Sequence, residues 1–368
     1  MIRTFRLRDF KGHRDTQLAL GRFTMLVGDN ASGKTSVLDA LALQAGLAPN
    51  PVSYLRQPYA PEDLLRRGSN GSIVLSSEGV RSELSWTTAL TLKVLPKRAP
   101  ADDARWEVDL QGSLGGIRFA ATSSGTGGGG TTPGEGWDKA AEAFGTSGAY
   151  HLQAERIAAA AASDVPNPPI GVDGSNVAVA LAAMKLGDDE AFQRVEDAMR
   201  QLIPSIERVR IRPATVHPSW AQHGVIGSKL YFDFRGAPGV PADGASHGTL
   251  IVLALLAILH GSNRPDLILL DDFDHALHPR AQMALVRMLQ NLLKLDELKG
   301  VQIVATTHSP YMLDEVETSA VYGFALRDDG TVASKRLSEH PEAEKTRGTL
   351  SAGQLWSLDP ERDWVLRG

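Results

Sequence analysis

Eight residues near the amino terminus, Gly28, Asp29, Asn30, Ala31, Ser32, Gly33, Lys34 and Thr35, fit the spacing G-x-x-x-x-G-K-[ST]. Glycines at the first and sixth positions open backbone conformations that side chains block, so successive N–H groups can turn inward on a polyphosphate at a helix N-terminus. Lys34 adds a point charge at the β/γ-phosphates, and Thr35 offers a hydroxyl to Mg²⁺. Two later stretches carry complementary chemistry. The run LILLDDFDHALHP from residue 267 ends its apolar part in Asp271, which can hold the Mg²⁺ shell directly or through water, and Asp272, which is placed to polarise a water against a terminal phosphate. The run VQIVATTHSP from residue 301 carries His308 after its apolar part, a hydrogen-bond partner for that phosphate or that water. In this order the residues point to binding and hydrolysis of a nucleoside triphosphate.

The elements that must position these groups follow from periodicity. Thr24 to Val27 read as a strand entering the loop, and Val37, Leu38 and Leu41 give the following helix an apolar face. The buried strands that end at Asp271 and before His308 alternate with helices, one of them over residues 279–293, which implies a largely parallel sheet. Upstream, Ile2, Phe5, Leu7 and Phe10 alternate with Arg3, Arg6, Arg8 and Lys11, so the first strands have a basic solvated face, with a turn at Lys11-Gly12-His13. Residues 49–61 read as irregular and 62–69 as a short helix ending at a glycine. Residues 72–95 alternate as an antiparallel pair broken at Glu78-Gly79, and 106–119 continue that sheet.

The tract SSGTGGGGTTPGEG, residues 123–136, is expected to be an exposed, mobile loop. A strand over 148–153 follows. Asp173-Gly174-Ser175-Asn176 is expected to cap a helix over 177–186, with a second helix over 189–202 and strands over 206–211 and 229–234. A small polar loop, residues 244–249, opens an apolar helix over 250–260, and Asp328-Asp329-Gly330 marks a late hairpin. Three regions result: an amino-terminal half-domain over 1–150, a helical lobe with connecting strands over 151–240, and a carboxyl-terminal half-domain over 241–368.

At 368 residues with 42% hydrophobic content and a net charge of −5, the chain can bury a large core and carries no overall basic coat. It has no cysteine, which excludes disulfides, zinc-thiolate sites and thiol nucleophiles and fits a reducing cytoplasm. The longest apolar run, residues 250–259, is too short to span a bilayer, and the amino terminus does not read as a signal peptide.

The motifs GDNASGKTS (residues 28–36), SHGT (246–249), LILLDDFDHALHP and ATTHSP, with RLRDFKGH and DGSN, resemble the ABC-type ATPase heads of the SMC, RecF and OLD-like branch. The resemblance implies an α/β fold with a largely parallel phosphate-loop core sheet, an amino-terminal antiparallel β-subdomain and a helical lobe. It implies ATP and Mg²⁺ as cofactors, with Gly28, Asn30, Ala31, Ser32, Gly33, Lys34, Thr35 and Ser36 binding nucleotide and Thr35 and Asp271 at the metal. Ser246 and Gly248 match the signature loop that meets the γ-phosphate bound by a second copy, and Gln153 matches the loop glutamine that senses Mg²⁺ and the attacking water. With Asp272 and His308, Gln153 makes up the expected catalytic set. Two departures stand out. Asp272 replaces the usual glutamate, so hydrolysis is expected to be slow or partner-assisted, and Phe273 stands where proline is common.

The functional expectation is a head that dimerises around two ATPs and regulates an effector, a nuclease or toxin, in a bacterial antiviral-defence or DNA-surveillance complex. Neither a long coiled-coil arm nor a nuclease domain after the His308 strand is expected. Two alternatives remain. One is a RecF-like repair ATPase clamping DNA through Arg3, Arg6, Arg8, Lys11, Arg14, Arg66 and Arg67; the other is a slow-turnover ATP-sensing scaffold.

Overall fold

The computed structural model describes residues 1–47, 61–95, 105–126, 129–130, 135–275, 277–358 and 363–367. The chain begins with β1 (Ile2–Phe10), β2 (His13–Ala19), β3 (Phe23–Gly28) and α1 (Lys34–Leu47). It continues through β4 (Ser72–Arg81), β5 (Leu84–Leu95), β6 (Arg105–Leu114), β7 (Ile117–Thr126), β8 (Gly129–Gly130), α2 (Glu135–Phe144) and β9 (Ser147–Tyr150). Next come α3 (Ala154–Ala158), α4 (Val177–Gly187), α5 (Asp189–Leu202), β10 (Ile206–Val216), β11 (Val225–Phe234), β12 (Ala237–Pro241) and α6 (His247–His260). The last part holds β13 (Leu267–Leu270), α7 (Pro279–Leu293), β14 (Gln302–Thr307), α8 (Pro310–Leu313), β15 (Val321–Leu326), β16 (Val332–Arg336), α9 (Ala352–Trp356) and α10 (Asp363–Leu366). These elements form two compact units: Met1–Ala149 with Asp266–Leu270 and Gln290–Gly368, and Tyr150–Pro265 with Asp271–Leu289.

The first unit contains two sheets. One is antiparallel, in the order β2-β1-β4-β5-β6-β7-β8; the other runs β16-β15-β3-β14-β13-β9, with β15, β3, β14 and β13 parallel. Ten of the fourteen residues of α1 are buried, because the helix touches β1 of the first sheet and β3, β13 and β14 of the second. A helix enclosed on two sides must be apolar nearly all round, and α1 is. Its one buried amide, Gln44, is fully used: Nε2 donates to the Leu75 carbonyl (3.1 Å) and Thr88 Oγ1 (3.2 Å), and Oε1 accepts from Ser77 Oγ (2.6 Å). Gln302 ties the two sheets in the same way, accepting from the Ile2 N–H and donating to the carbonyls of Ile2 and Gly21, each at 2.8 Å.

Four local expectations change. The β4–β5 turn falls at Ser82-Glu83, both at positive φ, and not at Glu78-Gly79. Gly79 pairs with Trp86, and a Cβ there would stand 2.5 Å from the indole, so this glycine marks a close approach rather than a turn. Residues 62–69 form only a single 3-10 turn, Pro61–Leu64. Within the glycine-rich tract, residues 123–126 extend β7 against β6, with Ser123 opposite Val108 and Thr126 opposite Arg105, so ladder hydrogen bonds offset the entropy of ordering. Residues 129–130 form β8, and 135–136 open α2; residues 127–128 and 131–134, like 49–60, lie outside the described residues. Asn176 sits at φ +70 and makes no side-chain cap bond to α4; Asp173 Oδ1 instead accepts from the Ser175 N–H at 3.0 Å.

The second unit packs α3, α4 and α5 around α6, of whose fourteen residues all but His247 are buried. The strands over 206–241 form an antiparallel sheet of their own, β10-β11-β12. Asp188 starts α5 by accepting from the Ala191 N–H at 2.9 Å.

Candidate functional site

In the first unit, the parallel strands deliver three chain ends to one edge of the sheet. β3 ends at Gly28, β14 at Thr307, and β13 at Leu270, whose next residue in the chain is Asp271. Thr307 is in register with Val27, so exposed His308 follows on the strand beside the start of the phosphate loop.

The loop has the backbone its glycines were expected to permit. Gly28 lies at φ +150 with a virtual Cβ 2.3 Å from the Phe324 carbonyl, and Gly33 at φ +99 with one 2.6 Å from Val332 Cγ2; no side chain fits at either place. Ala31 is at φ +61. Lys34 is 4% exposed and folds over the loop, its Nζ donating to the carbonyls of Gly28 (2.9 Å) and Asp29 (2.8 Å). Ser32, 1% exposed, holds a buried hydroxyl with no hydrogen-bond partner among the described residues. A buried unpaired hydroxyl beside a lysine at the start of a helix is a group left for an anion, so the loop fits a polyphosphate. Thr35 lies on the exposed side of the first helical turn. Among the described residues no three His, Asp or Glu side chains group as a metal cage. Mg²⁺ held by one or two protein donors and by phosphates needs none.

Sequence reasoning missed His13. It is fully buried, its Nδ1 is 2.9 Å from Thr16 Oγ1 and its Nε2 is 3.0 Å from the Gly33 carbonyl; burial holds its pKa down at about 4. The motif FKGH was visible, but the histidine read as a turn residue.

In the second unit, the Asp271 N–H donates to the Tyr150 carbonyl (2.9 Å), and its carboxylate lies 3.8 Å from His151 Nδ1. Gln153 is the residue before α3, with its own N–H bonded to the Asp173 carbonyl. A cavity of about 420 Å³ brings Gln153 and Asp272 together, with His151, Glu155, His247 and His275 also on its wall. The three histidines and Glu155 gave no sequence signal, because nothing local marks them as neighbours. Asp272 adopts φ +46, a left-handed conformation that aspartate tolerates better than longer side chains. Its position thus favours the shorter acid over glutamate. Ser246 is the N-cap of α6, with Oγ accepting from the Thr249 N–H (3.2 Å), and Gly248 is buried in the first turn.

The basic strand face looks different in three dimensions. Arg6 and Arg8 lie 2.5 and 3.9 Å from Asp15, Lys11 lies 2.6 Å from Asp39 and Arg66 lies 2.7 Å from Asp9. Among the described residues, four of the seven cations counted toward DNA are therefore paired with carboxylates, and Arg3, Arg14 and Arg67 are the others of that set.

Comparisons with known proteins found one family match and similar solved structures. Residues 157–314 match the family described as "AAA domain, putative AbiEii toxin, Type IV TA system". Among solved structures, an Smc head bound to the C-terminal winged-helix domain of ScpA aligns at 15% identity and a TM-score of 0.56, covering 94% of this chain and 99% of the other. An Smc head with an extended coiled coil, bound to the C-terminal domain of ScpA derived from Pyrococcus furiosus, aligns at 14% identity and a TM-score of 0.49, covering 94% and 98%. The fold is that of an Smc head, α/β with a parallel-containing sheet and an antiparallel one. No helix among the described residues is long and apolar enough to cross a membrane.

Proposed function

We propose that this chain binds ATP with Mg²⁺ in the loop from Gly28 to Thr35, hydrolyses it slowly, and uses ATP to associate with a second copy. The observation that carries the reading is the loop itself: two glycines in conformations closed to other residues, a buried lysine, and the unpaired Ser32 hydroxyl. Gly28, Asn30, Ala31, Ser32, Gly33, Lys34, Thr35 and Ser36 cradle the phosphates; Thr35 and Asp271 serve the metal, with Gln153 as its sensor. Asp272 polarises the attacking water and His308 bonds the terminal phosphate. Their placement at strand ends supports those roles. Ser246 and Gly248, at the positive end of α6, meet the γ-phosphate of the second copy.

The output of this cycle is control of a partner effector, a nuclease or toxin, in bacterial defence; the toxin–antitoxin description of the matched family supports it. By analogy with the Smc heads crystallised with ScpA domains, the partner docks on the head. The division into half-domains over 1–150 and 241–368 with a lobe over 151–240 belongs to the same reading, as does a cytoplasmic location.

The test is equilibrium binding of ATP and ADP with Mg²⁺, with Lys34→Ala as the blank, and light scattering with and without ATP. Micromolar or tighter binding lost in Lys34→Ala, and a doubling of mass with ATP, are expected. Binding equal to the blank overturns the nucleotide reading; binding without a mass change overturns the dimer.

A further inference from the structure

We infer that a cavity in the second unit is a socket for a protein partner, which seats one aromatic or branched aliphatic side chain in it and sets a lysine or arginine against its acidic rim. The inference rests on the proposal that the chain works with a partner, and it does not depend on nucleotide binding.

The cavity follows from the spacing of small residues on α4. Val177, Ala178 and Leu181 are the buried residues of that helix, whereas Ala180, Ala183, Met184 and Gly187, three and four positions apart, share a second stripe and line the cavity. Three of those four carry at most a methyl group, so the stripe leaves a hollow of about 180 Å³ against Ala257 and Ile258 of α6. The opposite wall is tied in place. The His151 N–H donates to the Val172 carbonyl and Asn263 Nδ2 to the Asn167 carbonyl, each at 2.8 Å, which holds the segment carrying Pro168 and Pro169 before anything binds.

Size selects the occupant. An apolar cavity of about 150 Å³ holds a benzene ring, and ligands of ordinary size take about 300 Å³ or more, so this hollow suits a single ring or branched chain of a residue anchored elsewhere. Tyr150 supplies the polar mark of a binding site. It is 9% exposed and stands on the cavity wall, its hydroxyl makes no hydrogen bond among the described residues, and that oxygen is not shut off from open space. Burial pushes its pKa up to about 12, so the phenol is neutral and offers a donor to an acceptor on the seated segment.

The mouth points to a protein. Leu186, 90% exposed, precedes Gly187, and exposed Val165 and Val172 each lie two residues along the chain from a wall residue. Single exposed apolar side chains are ordinary; several around one hollow mark an interaction surface. A Cβ on Gly187 would meet nothing within 4 Å, so the entrance is open there. Charge then sets the sign of the partner. Asp188, on the wall, and the following Asp189 and Glu190 are exposed, and the last two form no ion pair among the described residues. Lys185, the nearest cation in the chain, lies with its ammonium 4.4 Å from the Phe192 ring centroid. A basic residue beside the seated side chain is therefore drawn to this rim.

The experiment pans a random peptide library displayed on phage against the full chain, then measures the enriched peptides on wild type, Ala183→Phe, Ala180→Leu, Tyr150→Phe and the double variant Asp189→Asn, Glu190→Gln, with thermal melting of each. The first two variants fill the hollow and are expected to melt at or above wild type; Tyr150→Phe removes one oxygen and keeps the test decisive should either lose stability. Enriched peptides are expected to share an aromatic or branched aliphatic residue beside a lysine or arginine. Filling the hollow should weaken them about tenfold or more, Tyr150→Phe about fivefold, and the charge variant about threefold with a smaller salt dependence. Peptides bound equally by wild type and the filled variants overturn the socket and leave the partner reading standing; a library that yields no binder overturns both. Phenol titrated alone by NMR is the small-molecule arm: phenol seated at Tyr150 while no peptide needs the hollow reassigns the cavity to a free ligand and overturns the docking inference.

Discussion

Replacing Gln44 by leucine tests whether α1 is held between its two sheets by hydrogen bonding as well as by apolar burial. The side chain is 1% exposed and satisfies three partners, of which Ser77 (1% exposed) and Thr88 (2% exposed) are themselves buried hydroxyls. Leucine leaves both without Gln44 as a partner, at about 1–3 kcal/mol each. The extra apolar burial of leucine offsets about 1–2 kcal/mol of that. The net loss is about 3 kcal/mol, or about 6–12 °C in melting temperature for a unit of this size. The assay is urea unfolding followed by tryptophan fluorescence, since Trp86, Trp106 and Trp137 share the core that α1 completes. The decisive comparison is the triple variant Gln44→Leu, Ser77→Ala, Thr88→Val, which removes the orphaned hydroxyls and should recover most of the loss. If Gln44→Leu is as stable as wild type, or the triple variant less stable than the single, the hydrogen-bond account of this interface fails.

Three further outcomes follow from particular groups. His13 carries a pKa of about 4 in the fold against about 6.5 unfolded, so the unfolded chain binds more protons between those values and stability falls as pH drops through that window. From pH 7 to pH 5 the loss is about 2 kcal/mol, and a chemical-denaturation series should show it reduced by that amount in His13→Gln. Asp272→Glu restores the longer acid at a left-handed position; steady-state phosphate release should rise, with a stability loss of about 1 kcal/mol or less from the backbone conformation. Unchanged turnover would refute the link between slow hydrolysis and the short side chain. Asp15→Asn removes the partner of Arg6 and Arg8, so salt-sensitive duplex binding should appear or strengthen in fluorescence anisotropy at low ionic strength. Strong binding by the wild type, unaffected by the change, would return the strand face to the DNA-clamp reading.

Much of the architecture was written locally. Gly28, Gly33, Lys34 and Thr35 specified a loop whose backbone demands can be met by few residue types, and the apolar run before Asp271 specified a buried parallel strand. Strand alternation in β1 and β4 likewise located the antiparallel sheet. These features were legible because torsional preference and hydrophobic period act over a few neighbouring residues.

What the sequence determined by itself was therefore the set of elements, their order and the chemistry carried at their ends. The tertiary structure decided which charges are spent on one another, as with Lys11 and Asp39 or Arg66 and Asp9. It also decided that Gly79 yields to an indole, that residues 123–126 gain ladder partners, and that His13 supports a carbonyl twenty positions away. Gln302 meets Ile2 only because the fold closes a separation of 300 residues. Each of these depends on burial and partner choice between distant segments, and a buried polar group is satisfied by whichever neighbour the packing supplies.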